Sequence, residues 1–73
     1  MRRFRDRDGR AWDVVLGRES WGALLALFVP GGAAPVREAP LPASAYDSAQ
    51  RLLDELSEAE LQQLLDDSQL KTD

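Results

Sequence analysis

The run Ser20-Trp21-Gly22-Ala23-Leu24-Leu25-Ala26-Leu27-Phe28-Val29, stopped by Pro30-Gly31-Gly32, is the only long uncharged apolar segment of this chain. Whether it is a strand or a helix decides the fold. Leu and Ala favour a helix, and Ser20 could serve as its N-cap. The run is short for a helix, however, and Gly22 would sit in its first turn. A helix apolar on every side also needs burial all round, whereas a strand apolar on both faces needs only one layer on each. The preceding segment, Trp12 to Leu16, is itself strand-like, so the run is read as a strand.

Working outward to the N-terminus, Phe4 to Trp12 reads as a β-hairpin around Asp8-Gly9, a strong turn signal. Two registers compete. A two-residue loop at Asp8-Gly9 sets Phe4 opposite Asp13. A three-residue loop, Arg7-Asp8-Gly9, ends with Gly9 in the left-handed region and pairs Phe4 with Trp12, Arg3 with Asp13 and Asp6 with Arg10. The second puts an aromatic pair on one face and an opposite-charge pair on the other, each contributing about 0.2–1 kcal/mol, and is the one expected. Gly17-Arg18-Glu19-Ser20 then turns the chain into the apolar run. A two-residue loop at Arg18-Glu19 sets Leu16 against Trp21 and Val14 against Ala23. On that register Phe4, Trp12, Val14, Leu16, Trp21, Ala23, Leu25 and Leu27 form the core face, while Val15, Gly22, Leu24, Ala26 and Phe28 occupy the other.

Beyond the run, Pro30 to Pro35 is a turn or loop. Val36-Arg37-Glu38 is expected as a short edge strand, because Pro35, Pro40 and Pro42 forbid a central one, and Ala39-Pro40-Leu41-Pro42 as an extended connector. Two helices follow. Ser44, with Asp47 three residues on, reads as an N-cap for a stripe of Tyr46, Ala49, Leu53 and Leu56. Ser57-Glu58-Ala59-Glu60 is a capping box ahead of a second stripe of Ala59, Leu61, Leu64 and Leu65. The expected fold class is therefore α+β: a three- to four-stranded antiparallel β-meander followed by two short C-terminal helices packed on one sheet face. The expected organisation is one small domain over 1–73, with the β-meander in 2–38, the helical pair in 44–68 and a frayed tail in 69–73.

A chain of 73 residues buries only about 60% of its unfolded surface, and its stability is expected at roughly 3–5 kcal/mol. It contains no cysteine and no histidine. It therefore lacks disulfides, a thiolate nucleophile, the usual general base and the usual metal ligand. No segment approaches the ~18–20 apolar residues of a membrane span, and the cytoplasm is the expected compartment. Residues 1–37 carry seven arginines against four acids, net +3, while residues 38–73 carry Arg51 and Lys71 against nine acids, net −7, for a total of −4. Such asymmetry suggests contacts with a partner or with a second copy. Eight arginines against one lysine, with abundant Ala, Leu and Gly, is the composition of a GC-rich bacterial gene.

Motifs for chemistry are absent. The acidic pairs Asp54-Glu55, Glu58/Glu60 and Asp66-Asp67 lie on helix surfaces without calcium-loop spacing. Gly31-Gly32 is followed by no GK[ST] and opens no helix. No catalytic, cofactor-binding or metal-ligating residue is assigned, no cofactor is expected, and the chain is read as a non-enzyme. The expected function is a small protein–protein interaction or regulatory module whose partner is another protein or a second copy in a weak homodimer. Its candidate interface is Val15, Leu24 and Phe28 on the second sheet face, rimmed by Arg3 and Arg5. The alternative is weak nucleic-acid binding by the arginine-rich N-terminal hairpin, whose arginines interleave with Phe4 and Trp12. An overall pI of about 4.6 opposes it.

Overall fold

The chain is described by a computed structural model over residues 2–19 and 22–71. The turn role expected of Ser20 and the core role expected of Trp21 lie outside the described residues. The strands are β1 (Arg2–Arg5), β2 (Ala11–Arg18), β3 (Leu24–Pro30), β4 (Arg37–Pro40) and β5 (Gln69–Leu70), with helices α1 (Tyr46–Glu55) and α2 (Glu58–Asp66) between β4 and β5. One antiparallel sheet runs in the order β1-β2-β3-β4-β5, an α+β fold in which both helices lie on one sheet face.

The first hairpin adopts the three-residue loop: Phe4 pairs with Trp12 and Arg3 with Asp13, the Asp6 amide donates to the Arg10 carbonyl at 2.9 Å, and Gly9 has φ +86°. Asp6 holds this turn together. Its carboxylate accepts from the amides of Asp8 at 3.0 Å and Arg10 at 2.9 Å, and from the Trp12 indole N–H at 2.8 Å. These bonds, led by that of Trp12, hold the Asp6 carboxyl below the usual carboxylate range. The Trp12 ring can therefore be buried with its polar edge satisfied. It meets Phe28 edge-on at 6.3 Å, and Phe4 meets Phe28 at 6.0 Å.

The second hairpin departs from the expected register. Val14 pairs with Phe28, Leu16 with Ala26 and Arg18 with Leu24, so the loop spans 19–23 instead of two residues. Its closing bonds run from the Glu19 amide to the Ala23 carbonyl at 2.8 Å and from the Gly22 amide to the Glu19 carbonyl at 2.9 Å, with Gly22 at φ +98°. Gly22 is a turn residue, not a strand residue. The change in register is an odd number of residues, and side chains alternate every residue along a strand, so the whole of β3 is flipped. Leu24, Ala26 and Phe28 join Phe4, Trp12, Val14, Ala39 and Leu41 in the core, packed on Ala49, Leu53, Leu61 and Leu65 of the helices.

Three further expectations change. Val36 is outside β4, which includes Ala39 and Pro40 and is not an edge, because β5 pairs with it at Arg37↔Leu70 and Glu38↔Gln69. Pro40, lacking an amide hydrogen, sits at the end of the strand where a missing donor costs least. Residues 69–71 of the expected tail are tied to the sheet: β5 pairs with β4, the Arg37 guanidinium donates to the Ser68 Oγ and carbonyl, each at 2.8 Å, and the Lys71 amide donates to the Val36 carbonyl at 3.0 Å, while residues 72–73 lie outside the described residues. The N-cap of α1 is Ala45 without a side-chain cap bond, not Ser44, and Tyr46 is 54% exposed. The capping box of α2 forms as read: the Glu60 amide donates to Ser57 Oγ at 3.1 Å and the Ser57 amide to Glu60 Oε1 at 2.8 Å.

Candidate functional site

Strand pairing places one set of side chains on the sheet face turned away from the helices. Residues directly opposite each other share a face, so Arg3 and Asp13, then Val15, Leu27 and Glu38, then Gly17, Leu25 and Pro40 form successive rows across it. Val29 lies beside Asp13 and is 36% exposed. Gly17 has a local reason to be glycine. The Leu27 side chain lies over it, and a Cβ there would stand 2.7 Å from a Leu27 methyl. Leu27 thus fills the middle of the face from the neighbouring strand.

Charge is ordered across this surface. Arg3 and Arg5 stand on β1 at one side, and Arg3 Nε donates to Asp13 Oδ1 at 2.9 Å. This pair holds the Arg3 guanidinium above its usual range. Arg5 Nη1 donates to the Gly9 carbonyl at 2.6 Å. On the β4 side lies a hollow of about 400 Å3 lined by Glu19, Ala23, Leu25, Glu38, Pro40 and Gln69. Its floor is apolar, with Leu25 only 8% exposed, and it carries two carboxylates. Among the described residues, Glu38 Oε2 is buried without a hydrogen-bond partner.

The candidate interface is corrected accordingly. Leu24 and Phe28, expected on this face, are core residues at 2% and 0% exposure. Leu27 and Val29 take their place; Leu25, like Leu27 expected on the core face, lies on this side as well but is buried at 8% exposure. Val15, Arg3 and Arg5 do lie on the face. Sequence reasoning missed the flip because it placed Gly22 inside the strand; a glycine at that point is also the signal for a longer turn, since only glycine readily accepts positive φ.

Three other arginines of the first hairpin do other work. Arg2 Nη1 donates to the Leu53 and Asp54 carbonyls at the end of α1, both at 3.1 Å, where a cation meets the negative end of the helix dipole. Arg7 makes a forked pair with Asp66 of α2 at 3.1 and 2.8 Å, and its amide donates to Gln62 Oε1 at 2.8 Å. That fork holds the Asp66 carboxyl below its usual range and the Arg7 guanidinium above. Arg10 lies over the Trp12 ring at 5.9 Å. The basic first half and acidic second half therefore meet within one molecule.

A second apolar groove, about 240 Å3, opens between the helices and is lined by Leu52, Leu56 and Leu64. Its Glu60 is committed to the capping box. Among the described residues, no cluster of three or more acids, histidines or cysteines could hold a metal ion, and no helix is long and apolar enough to cross a membrane. Comparison with protein-family models, with curated proteins and with solved structures gives no match.

Proposed function

We propose that this chain is a small non-enzymatic protein–protein interaction or regulatory module that binds another protein, or a second copy of itself, through the sheet face turned away from the helices. One observation carries the reading. Val15, Leu27 and Val29 form an apolar stripe on that face between an arginine edge and an acidic hollow, and both helices lie on the opposite side. Apolar stripes with polar rims are the usual form of an interaction surface. The cytoplasm is the compartment proposed with it. Nucleic-acid binding is the weaker alternative, because Arg2, Arg7 and Arg10 of the hairpin are engaged within the fold.

The test compares baits in extracts of the native host. Proteins retained by the wild-type chain are expected to be lost with Leu27→Asp and kept with Tyr46→Ala, a substitution at an exposed helix residue. Circular dichroism establishes that each bait is folded. A retained set indifferent to Leu27→Asp removes this face as the site. Submicromolar binding of single-stranded RNA or DNA at physiological salt, falling steeply as salt rises, establishes the alternative.

A further inference from the structure

We propose that the occupant of this face is a second copy of the chain, packed sheet on sheet about a two-fold axis parallel to the strands, with Arg3 and Arg5 of each copy over the Glu19–Glu38 hollow of the other. The proposal rests on the reading of the face as the interaction site and adds its partner.

The order of charge selects this arrangement. Across the face, arginines stand on β1, Asp13 beside them and Val15 on β2, Leu27 and Val29 on β3, and Glu38 on β4. A two-fold axis along the strands reverses the strand order in the second copy. Each β1 then faces the partner's β4, and the Val15–Leu27 stripe faces its own counterpart, as an isologous contact requires. An axis across the strands lays β1 on β1 and opposes arginine to arginine. Arg3 lies one row from Glu38 along the strands, within reach of a long side chain; Arg5 lies farther out and acts at the rim.

The hollow has the chemistry of an arginine site. Ala23, Leu25 and Pro40 offer an apolar floor to the aliphatic stem, and two carboxylates receive the fork. Glu38 Oε2 is buried without a hydrogen-bond partner among the described residues; rotation of the Glu38 side chain toward the incoming fork gives it a donor, and buried polar atoms left without partners are uncommon. Arg3 and Arg5 are the cations free to move. Their bonds to Asp13 and to the Gly9 carbonyl are exposed, and exposed pairs of this kind contribute little to stability. The net charge of −4 on each copy opposes association at long range, so the dimer is expected to be weak, with a dissociation constant on the order of micromolar.

Analytical ultracentrifugation over a micromolar concentration series tests this, with circular dichroism on every variant. The wild-type chain is expected to dimerise, and Glu38→Arg to weaken the dimer by about tenfold or more. The double variant Arg3→Glu/Arg5→Glu is expected to do the same. Mixing Glu38→Arg with the double variant is expected to restore a dimer containing one chain of each, since positions 3 and 5 of each chain then face the opposite charge at position 38 of the other. A wild-type chain that stays monomeric overturns the second copy as occupant and leaves the face open to another protein. A dimer unaffected by Leu27→Asp overturns the face itself. A dimer lost in Leu27→Asp but indifferent to the charge swaps overturns the proposed two-fold geometry. If Glu38→Arg fails to fold, the Arg3→Glu/Arg5→Glu variant mixed with wild-type chain decides, since one of its two charge contacts is still repulsive and a full-strength mixed dimer contradicts the pairing.

Discussion

At the scale of single residues, Asp6 does more than its sequence context announces. A lone aspartate two residues before Asp8-Gly9 looks like one more turn acid, yet it binds two turn amides and the indole of a tryptophan only 4% exposed. Its worth comes from what its loss leaves behind, a buried indole N–H without an acceptor. Asp6→Ala is expected to cost about 1–3 kcal/mol, read from the midpoint of urea unfolding, with Asp6→Asn in between because the amide oxygen still accepts. An unchanged midpoint in Asp6→Ala would remove Asp6 from this role. The Arg3–Asp13 pair was legible from the register alone. The clamps of Arg2 on α1, Arg7 on α2 and Arg37 on Ser68 were not, because each joins residues from 31 to 59 positions apart.

At the scale of elements, β3 turns on the length of the loop before it. The apolar composition of the run is compatible with either face pointing inward, since Leu24, Leu25, Leu27 and Phe28 supply bulk on both. What decides is that Gly22 takes positive φ, which lets the chain close a loop over 19–23 and start the strand at Leu24. Gly22→Ala is therefore expected to destabilise by roughly 1–2 kcal/mol, the cost of a Cβ in the left-handed region, although open space surrounds the site. Phe28→Ala is expected to cost about 3–5 kcal/mol, as much as the whole stability of so small a domain, while Val29→Ala stays within about 1 kcal/mol. Thermal melts of the two variants check the orientation; the opposite ranking would restore the shorter loop. The helices were easier to read. The box at Ser57 and Glu60 is complete in four residues of sequence, and Leu53, Leu61 and Leu65 fall on the buried stripes. The first helix lacks such a box, and Ser44 was a false cap because neighbouring Ala45 holds the cap position.

At the scale of the whole molecule, stability below neutral pH depends on pH through carboxylates. Asp6, Glu60 and Asp66 each ionise more readily in the folded chain than the free acid does, Asp6 through its bond from Trp12, Glu60 through the Ser57 cap and Asp66 through Arg7. A group whose folded pKa is lowered contributes stability above its unfolded value and loses it as pH falls through the folded one. Stability is expected to fall as pH drops below about 4. Between about pH 5 and 8 it is expected to be nearly level, because the chain has neither histidine nor cysteine. Urea titrations across that range check this, and a step in stability between pH 5 and 7 would contradict it.

The sequence by itself determined the class of the fold, the first hairpin with its register, the strand nature of the central run, and the capping box of the second helix. Each of these is set by contacts or backbone preferences within a few residues, so local pattern suffices. Only the tertiary structure decided which face of the central strand points inward, that β5 closes the sheet, and that three arginines hold the helices and the C-terminal segment to it. Side-chain direction alternates at every residue, so an error in one loop reverses an entire strand and exchanges core for surface. The candidate interface changed for that reason: Val15, Arg3 and Arg5 stayed on the open face with their strands, while Leu24 and Phe28 gave way to Leu27 and Val29.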